Sequence, residues 1–253
     1  MTYRVQMLAQ LLGSVAILAF VPGNAVKLVA FLAWWTVTFR RLTPREWGLA
    51  GAALILFTLL DYQTLRQGIF RFEHPDFLLM PCYEPLLWPY LLVHVLHTVG
   101  GPVPGGSRAL ALAFALVFAL PFLLQTHVAL LLATTTVLLA IGLVLDHDRQ
   151  DLAYVSYFVL LGVLWEYAGV WSGQWSYPGP PLTGVPPWFA TLFGGMGLIL
   201  RRLPLPLRQR PHGPHPQPSG ALLAARRHAQ ACHRSAPDPG PWPLRAGRIG
   251  CPS

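Results

Sequence analysis

Charge is what this sequence has least of. Only 11% of its 253 residues are Asp, Glu, Lys or Arg, while 54% are hydrophobic. A soluble domain carries about a quarter charged residues, so an ordinary soluble enzyme or binding module is excluded at the outset. Lysine is almost missing, with Lys27 alone against seventeen arginines. The formal net charge of +8 does not indicate nucleic acid, because most of it lies beyond residue 202. Residues 1–202 hold eleven basic and nine acidic side chains, whereas 203–253 carry seven arginines against Asp238 alone. Basicity confined to one end describes a tail rather than a binding face. Cysteine is scarce too. Cys82, Cys232 and Cys251 are too few and too scattered for a disulfide framework or a zinc site, and Cys82 reads as a small apolar filler. There is no Walker-type loop, dinucleotide glycine fingerprint, HExxH or GxSxG elbow, so no cofactor and no metal is expected. No span carries arginines at voltage-sensor spacing, and no two-fold repeat of broken helices marks a secondary transporter.

What remains is long, continuous apolar sequence. A spanning helix needs roughly 17–25 mostly apolar residues. Candidate spans lie at 5–21, 24–39, 47–62, 84–99, 108–124, 127–145, 152–171 and 186–200. The expected fold is therefore all-α: a polytopic transmembrane helix bundle of about eight spans in a domain covering 1–202. Loops rich in arginine face the cytoplasm. With the N-terminus inside, Arg4, the Arg40-Arg41-Arg45 cluster, Arg108, Arg149 and Arg201-Arg202 all fall inside, predicting an N-in, C-in protein of the inner (plasma) membrane. The small-x-small site at Gly23–Ala25 also resembles a signal-peptide cleavage site, and cleavage there would leave seven spans. Residues 203–253, rich in Arg, Pro, Ala, Gly and His, cannot bury enough apolar surface to fold. They read as a disordered basic tail touching anionic lipid, or as the frame-shifted end of a GC-rich gene.

Two segments placed outside by this topology carry the polar chemistry: Asp61–Pro85 and Trp165–Trp188. Their aromatics, including Trp171, Trp175, Tyr177 and Trp188, also fit a plain interfacial belt. The ionisable groups ask for more, because a charge at the bilayer centre costs at least about 2.5–3.5 kcal/mol on insertion scales. Lys27, Asp61, Glu84 and Glu166 come from four different helices, yet all fall in the outer half. One polar pocket follows, with Glu166 expected as a proton donor and Glu84 as its partner base. Ion pairing of Lys27 with Asp61 or Glu166 is the purely structural alternative. Tyr83, Trp165, Tyr167, Trp175 and Tyr177 are the expected aromatic walls, able to stabilise a carbocation. His94 and His97, three residues apart, have metal-ligand spacing but no third ligand at their depth, so a helix-interface role is expected. His147 with Asp146, Asp148 and Asp151 reads as a turn capping the seventh helix.

Residues 165–200 combine an in-membrane Glu166, the run Gly173-Gln174-Trp175-Ser176-Tyr177 and Gly184-Val185-Pro186-Pro187-Trp188 opening a helix. This arrangement resembles membrane enzymes of carotenoid biosynthesis, of the bisanhydrobacterioruberin hydratase and heterodimeric lycopene cyclase types. It is also similar to multi-span bacterial proteins with a G-x-W-x-Y…GVP-x-W pattern. The resemblance implies acid chemistry on polyene double bonds, carried by Glu166 and by Glu84 in its Pro81, Glu84, Pro85 setting. The cyclase pattern of consecutive acids followed by phenylalanines is missing here.

Three functions fit: an intramembrane enzyme using the outer carboxylates on a lipid or isoprenoid, a small-solute or proton-coupled transporter with the same pocket, and a non-catalytic membrane scaffold. Membrane lipid is the expected partner in each. Reporter fusions after Arg41, Arg71, Gly106 and Gln174 test the topology. Fusions at Arg71 and Gln174 are expected to report outside, and those at Arg41 and Gly106 inside.

Overall fold

The computed structural model describes residues 3–102, 104–145, 147–179 and 184–204. These lie within one unit, Met1–Gln209. The proposed tail from residue 205 onward, and Asp146, fall outside the described residues.

Eight α-helices stand where the apolar runs predict them: α1 (Tyr3–Phe20), α2 (Asn24–Thr38), α3 (Pro44–Arg66), α4 (Leu87–Thr98), α5 (Arg108–Leu124), α6 (Val128–Leu145), α7 (Arg149–Trp171) and α8 (Trp188–Arg202). A 3-10 turn, Glu84–Leu86, leads into α4. Three of these helices, α3, α6 and α7, are long and apolar enough to cross a membrane. The helices differ sharply in what surrounds them. On α6 only Leu131 and Thr135 are buried, although it is apolar all round; its surface suits hydrocarbon rather than water. On α4, Leu87 and the whole run Pro89–Leu96 are buried, making this short helix the centre of the bundle. Helix α1 is tied into it, because the Gln10 carbonyl accepts from both Trp34 Nε1 (2.9 Å) and Tyr90 OH (3.1 Å).

Two capping boxes start the longest helices, and each box acid also reaches another helix. Thr43 Oγ1 accepts from the Glu46 amide, while the Glu46 carboxylate accepts from the Thr43 amide; such a cap satisfies amides that the first turn leaves unpaired. Glu46 then meets His97 Nε2 of α4 at 2.9 Å. At α7 the box is Asp148 with Asp151. Arg201 of α8 donates two bonds to Asp148, at 2.6 and 2.7 Å, and lies 2.7 Å from Asp151. Arg202 donates to the other Asp151 oxygen at 2.6 Å. The sequence reading of a capped α7 thus stands, with α8 as the unforeseen partner. Elsewhere α7 and α8 nearly touch backbone to backbone: a Cβ on Gly197 would sit 2.7 Å from the Tyr154 carbonyl oxygen.

Arg201 and Asp151 are both buried, and removing one partner of a buried pair strands the other. Arg201→Ala is expected to cost about 3–5 kcal/mol, read as a lowered thermal midpoint. Arg201→Lys should recover only part, since lysine lacks the two-pronged geometry. Burial opposes ionisation of Asp148, but the Arg201 guanidinium and the amides of α7 outweigh it and hold the carboxyl below its ordinary value. A depressed carboxylate contributes stability above its unfolded value and loses it as pH falls through the folded one. The clamp should therefore weaken only below the usual carboxylate range, and Asp148→Asn should flatten that acid limb of the stability profile.

Candidate functional site

The α3–α4 connection and the α7–α8 connection meet at one end of the bundle. Their contact is a two-residue antiparallel pairing, β1 (Arg71–Phe72) with β2 (Trp175–Ser176), in which Arg71 faces Ser176 and Phe72 faces Trp175. Ser176 Oγ donates to Glu73 (2.6 Å), and Arg71 Nε donates to Ser176 Oγ (3.1 Å). The pairing turns Trp175 and Tyr177 back over α7. There Trp175 Nε1 (2.9 Å) and Tyr177 OH (2.7 Å) both donate to Glu166 Oε2. Gly169, one turn along α7, makes room for this return, since a Cβ there would lie 2.0 Å from the Trp175 ring.

Beneath this junction lies a cavity of about 340 Å³. Its walls are largely aliphatic and aromatic side chains of α3, α4, α5 and α8, with Trp165 from α7. Asp61, Glu84 and Glu166 all line it, and among the described residues no Lys, Arg or His does so. The acceptors differ in how they are occupied. Asp61 Oδ2 accepts from Trp88 Nε1 at 2.7 Å. Glu166 carries its two donors on one oxygen. Glu84 is buried, and its Oε2 has no hydrogen-bond partner among the described residues. Bare acceptors in an apolar space are costly unless a donor or cation meets them. The cavity also reaches the outer surface of the bundle, because Leu56 of α3 and Leu112 and Leu116 of α5 line it while being 54%, 52% and 63% exposed.

Of the residues singled out in the sequence, the structure therefore gathers Asp61, Glu84, Glu166, Trp165, Trp175 and Tyr177 around one space. Three others stand apart. Lys27 does not line the cavity and pairs with neither Asp61 nor Glu166; its ammonium donates to Gln174 Oε1 and lies 5.3 Å from the centre of the Tyr83 ring. Tyr83, fully buried, also donates to Gln174 Oε1 (3.0 Å). These residues brace the β1–β2 junction from behind. Tyr167 is 40% exposed on the far side of α7 and is no wall of the site. A side chain one position from Glu166 points about 100° away on a helix, which explains the divergence.

Gln174 and Trp88 were not foreseen. Gln174 is a polar residue inside an aromatic run, which is a usable signal; Trp88 gave none, because its partner lies 27 positions away. His94 and His97 diverge, His94 Nε2 meeting Tyr157 OH at 2.8 Å and His97 turning to Glu46. Among the described residues no group of three or more His, Cys, Asp or Glu is placed to hold a metal. Burial and the neighbouring Asp76 push the Cys82 thiol up, keeping it unreactive.

No family model matches the chain, and no curated protein matches it. Solved structures do match in fold. One is described as a cross-linked trimer of MvINS, with a TM-score of 0.59 and 19% identity, covering 68% of this chain and 100% of that one. Another is MvINS itself, a mycobacterial Insig homolog from Mycobacterium vanbaalenii, with a TM-score of 0.56 and 17% identity over 67% of this chain and 98% of that one. No likeness to carotenoid enzymes is shown by these matches. At such identity the likeness is one of fold alone: this chain shares its helical architecture with MvINS.

Proposed function

We propose that this chain is a multi-pass inner-membrane protein of eight spans, N-in and C-in, whose cavity binds an amphiphilic lipid or isoprenoid. The apolar chain lies between α3, α5 and α8, and a head bearing a hydroxyl or amine donates to Glu84. The observation that carries this reading is the buried Glu84 Oε2, without a partner among the described residues, beside Asp61 and Glu166 in a largely apolar cavity.

Magnitudes support occupation by something chain-like. A space of this size, lined mainly by apolar side chains and open at the side, has room for an acyl or prenyl chain. An apolar hollow of less than half that size, about 150 Å³, stays dry and takes up benzene. The opening beside Leu56 and Leu116 faces where acyl chains would lie, so the ligand enters from the side. The head is constrained by what lines the polar end: three acids and, among the described residues, no base. A phosphate or diphosphate head would meet carboxylates with nothing to neutralise it, which disfavours phospholipids and prenyl diphosphates.

Catalysis is the second reading, and one observation favours a changed assignment within it. Both donors near Glu166 are committed to its Oε2, which makes it a fixed strut. Glu84 lacks the two donors that hold Glu166, so proton transfer would fall to the more loosely held Glu84. Trp165 and Trp175 would then face the reacting chain.

Mass spectrometry of lipid retained through purification tests the binding reading. Ala119→Phe, which fills the cavity from α5, should abolish retention of the bound species. Glu84→Leu removes the acceptor and should weaken binding about 2- to 10-fold, the value of one ordinary hydrogen bond. Retention unchanged in both variants would end the proposal. Under the catalytic reading Glu84→Gln keeps the ligand bound but stops its conversion, so comparing lipid profiles of cells carrying wild type and Glu84→Gln separates the two.

A further inference from the structure

The α3–α4 connection contains a feature that the cavity does not use. Phe77 and Met80 form a two-residue hairpin, each amide donating to the other's carbonyl at 2.8 Å. The turn residues, Leu78 and Leu79, have φ of 47° and 65°. Turns of this kind favour Asn-Gly, Asp-Gly or Gly-Gly, because a side chain at positive φ strains the backbone. Among the described residues these are the only non-glycine positions with positive φ. Held in this strained turn are three large apolar side chains facing outward: Phe77, Leu78 and Leu79 are 47%, 44% and 49% exposed.

The base of the hairpin is firmly seated. Met80 is fully buried. Asp76 accepts from the Cys82 amide at 2.6 Å and from Asn24 Nδ2 at 2.9 Å, and Asn24 Nδ2 also donates to the His74 carbonyl at 2.7 Å. Asn24 opens α2, so the hairpin is fastened to the α1–α2 turn. That turn is apolar and open as well, with Phe20 83% and Val26 58% exposed, and the open apolar surface continues down α2 through Val29. Trp171, closing α7, is 94% exposed. Apolar and aromatic groups from three separate connections thus stand exposed at the level where the helices end. This is the arrangement of a membrane interface, where aromatic and aliphatic groups sit between headgroups and chains.

We propose that Phe77, Leu78 and Leu79 form a finger that inserts into the headgroup–acyl boundary of the leaflet at the carboxylate end of the bundle. The occupant is the bilayer, because the finger continues the apolar surface of α1 and α2. Insertion fixes the depth of the segment that leads through Met80 and Cys82 to Glu84, and so sets the level of the cavity's polar end. The inference rests on the membrane-spanning reading above.

The test uses the full chain with its three cysteines replaced by serine, reconstituted in phosphatidylcholine–phosphatidylglycerol vesicles. Single cysteines at Phe77 or Leu79 carry a nitroxide, with Leu56→Cys on α3 and Glu73→Cys on the same connection as references. Collision with oxygen, which concentrates in lipid, is compared with collision with a water-soluble nickel chelate. Expected is an oxygen-to-nickel ratio several-fold higher at positions 77 and 79 than at 73, approaching that at 56. Phe77 lies outside the strained pair, so its label reports even where Leu79→Cys fails to fold. Water-like ratios at 77 and 79 with a lipid-like ratio at 56 would overturn the finger and leave the spanning helices standing. A water-like ratio at 56 would overturn both.

Discussion

The acid-bearing end of this bundle depends on one carboxyl group, Glu166, and on the two donors that converge on its Oε2. A hydrogen bond to a charged group contributes about 1.5–3 kcal/mol, and a buried acid without its donors is heavily penalised. Trp175 and Tyr177 can reach Glu166 only if the α7–α8 connection folds back along α7. That return sets the β1–β2 pairing, brings Gln174 to Lys27 and Tyr83, and roofs the cavity. The group read from the sequence as a proton donor is thus the anchor of the site's architecture, and Glu84 beside it lacks such donors.

The opposite end follows the same economy with different residues. Glu46 and Asp151 each complete a capping box and each bind a basic side chain from another helix. One acid therefore starts a helix and pins a second one to it. Between the two ends, α7 and α8 approach closely enough at Gly197 for backbone contact, while α3 and α5 both line the cavity. Tight packing on one side and an opening on the other give a bundle that is rigid where it is held and accessible from the side.

Much of the fold was legible along the chain. Eight apolar runs became eight helices, and the turn at Asp148 became the cap of α7. The convergence of Asp61, Glu84 and Glu166 was legible too, because alternation of spans places one end of every second connection on the same face. Other features were hidden. Nothing in the apolar run at 84–99 distinguishes a buried central helix from a lipid-facing one, since hydrocarbon and protein interior select the same side chains. Tyr167 was read as a wall because it neighbours Glu166, yet adjacency along a helix sends side chains apart. Lys27 was grouped with the acids by depth, whereas its neutral partner Gln174 lies 147 positions away.

The sequence by itself determined the helices, their apolar character and the end at which the acids gather, because hydropathy, capping and charge asymmetry act over short stretches of chain. Only the tertiary structure decided which acids receive donors, where the cavity opens, and that Leu78 and Leu79 are held out in a strained turn. Those outcomes depend on directions and distances between segments far apart in sequence. The missing Cβ of Gly169 illustrates the difference: it matters only because Trp175 returns to lie against it.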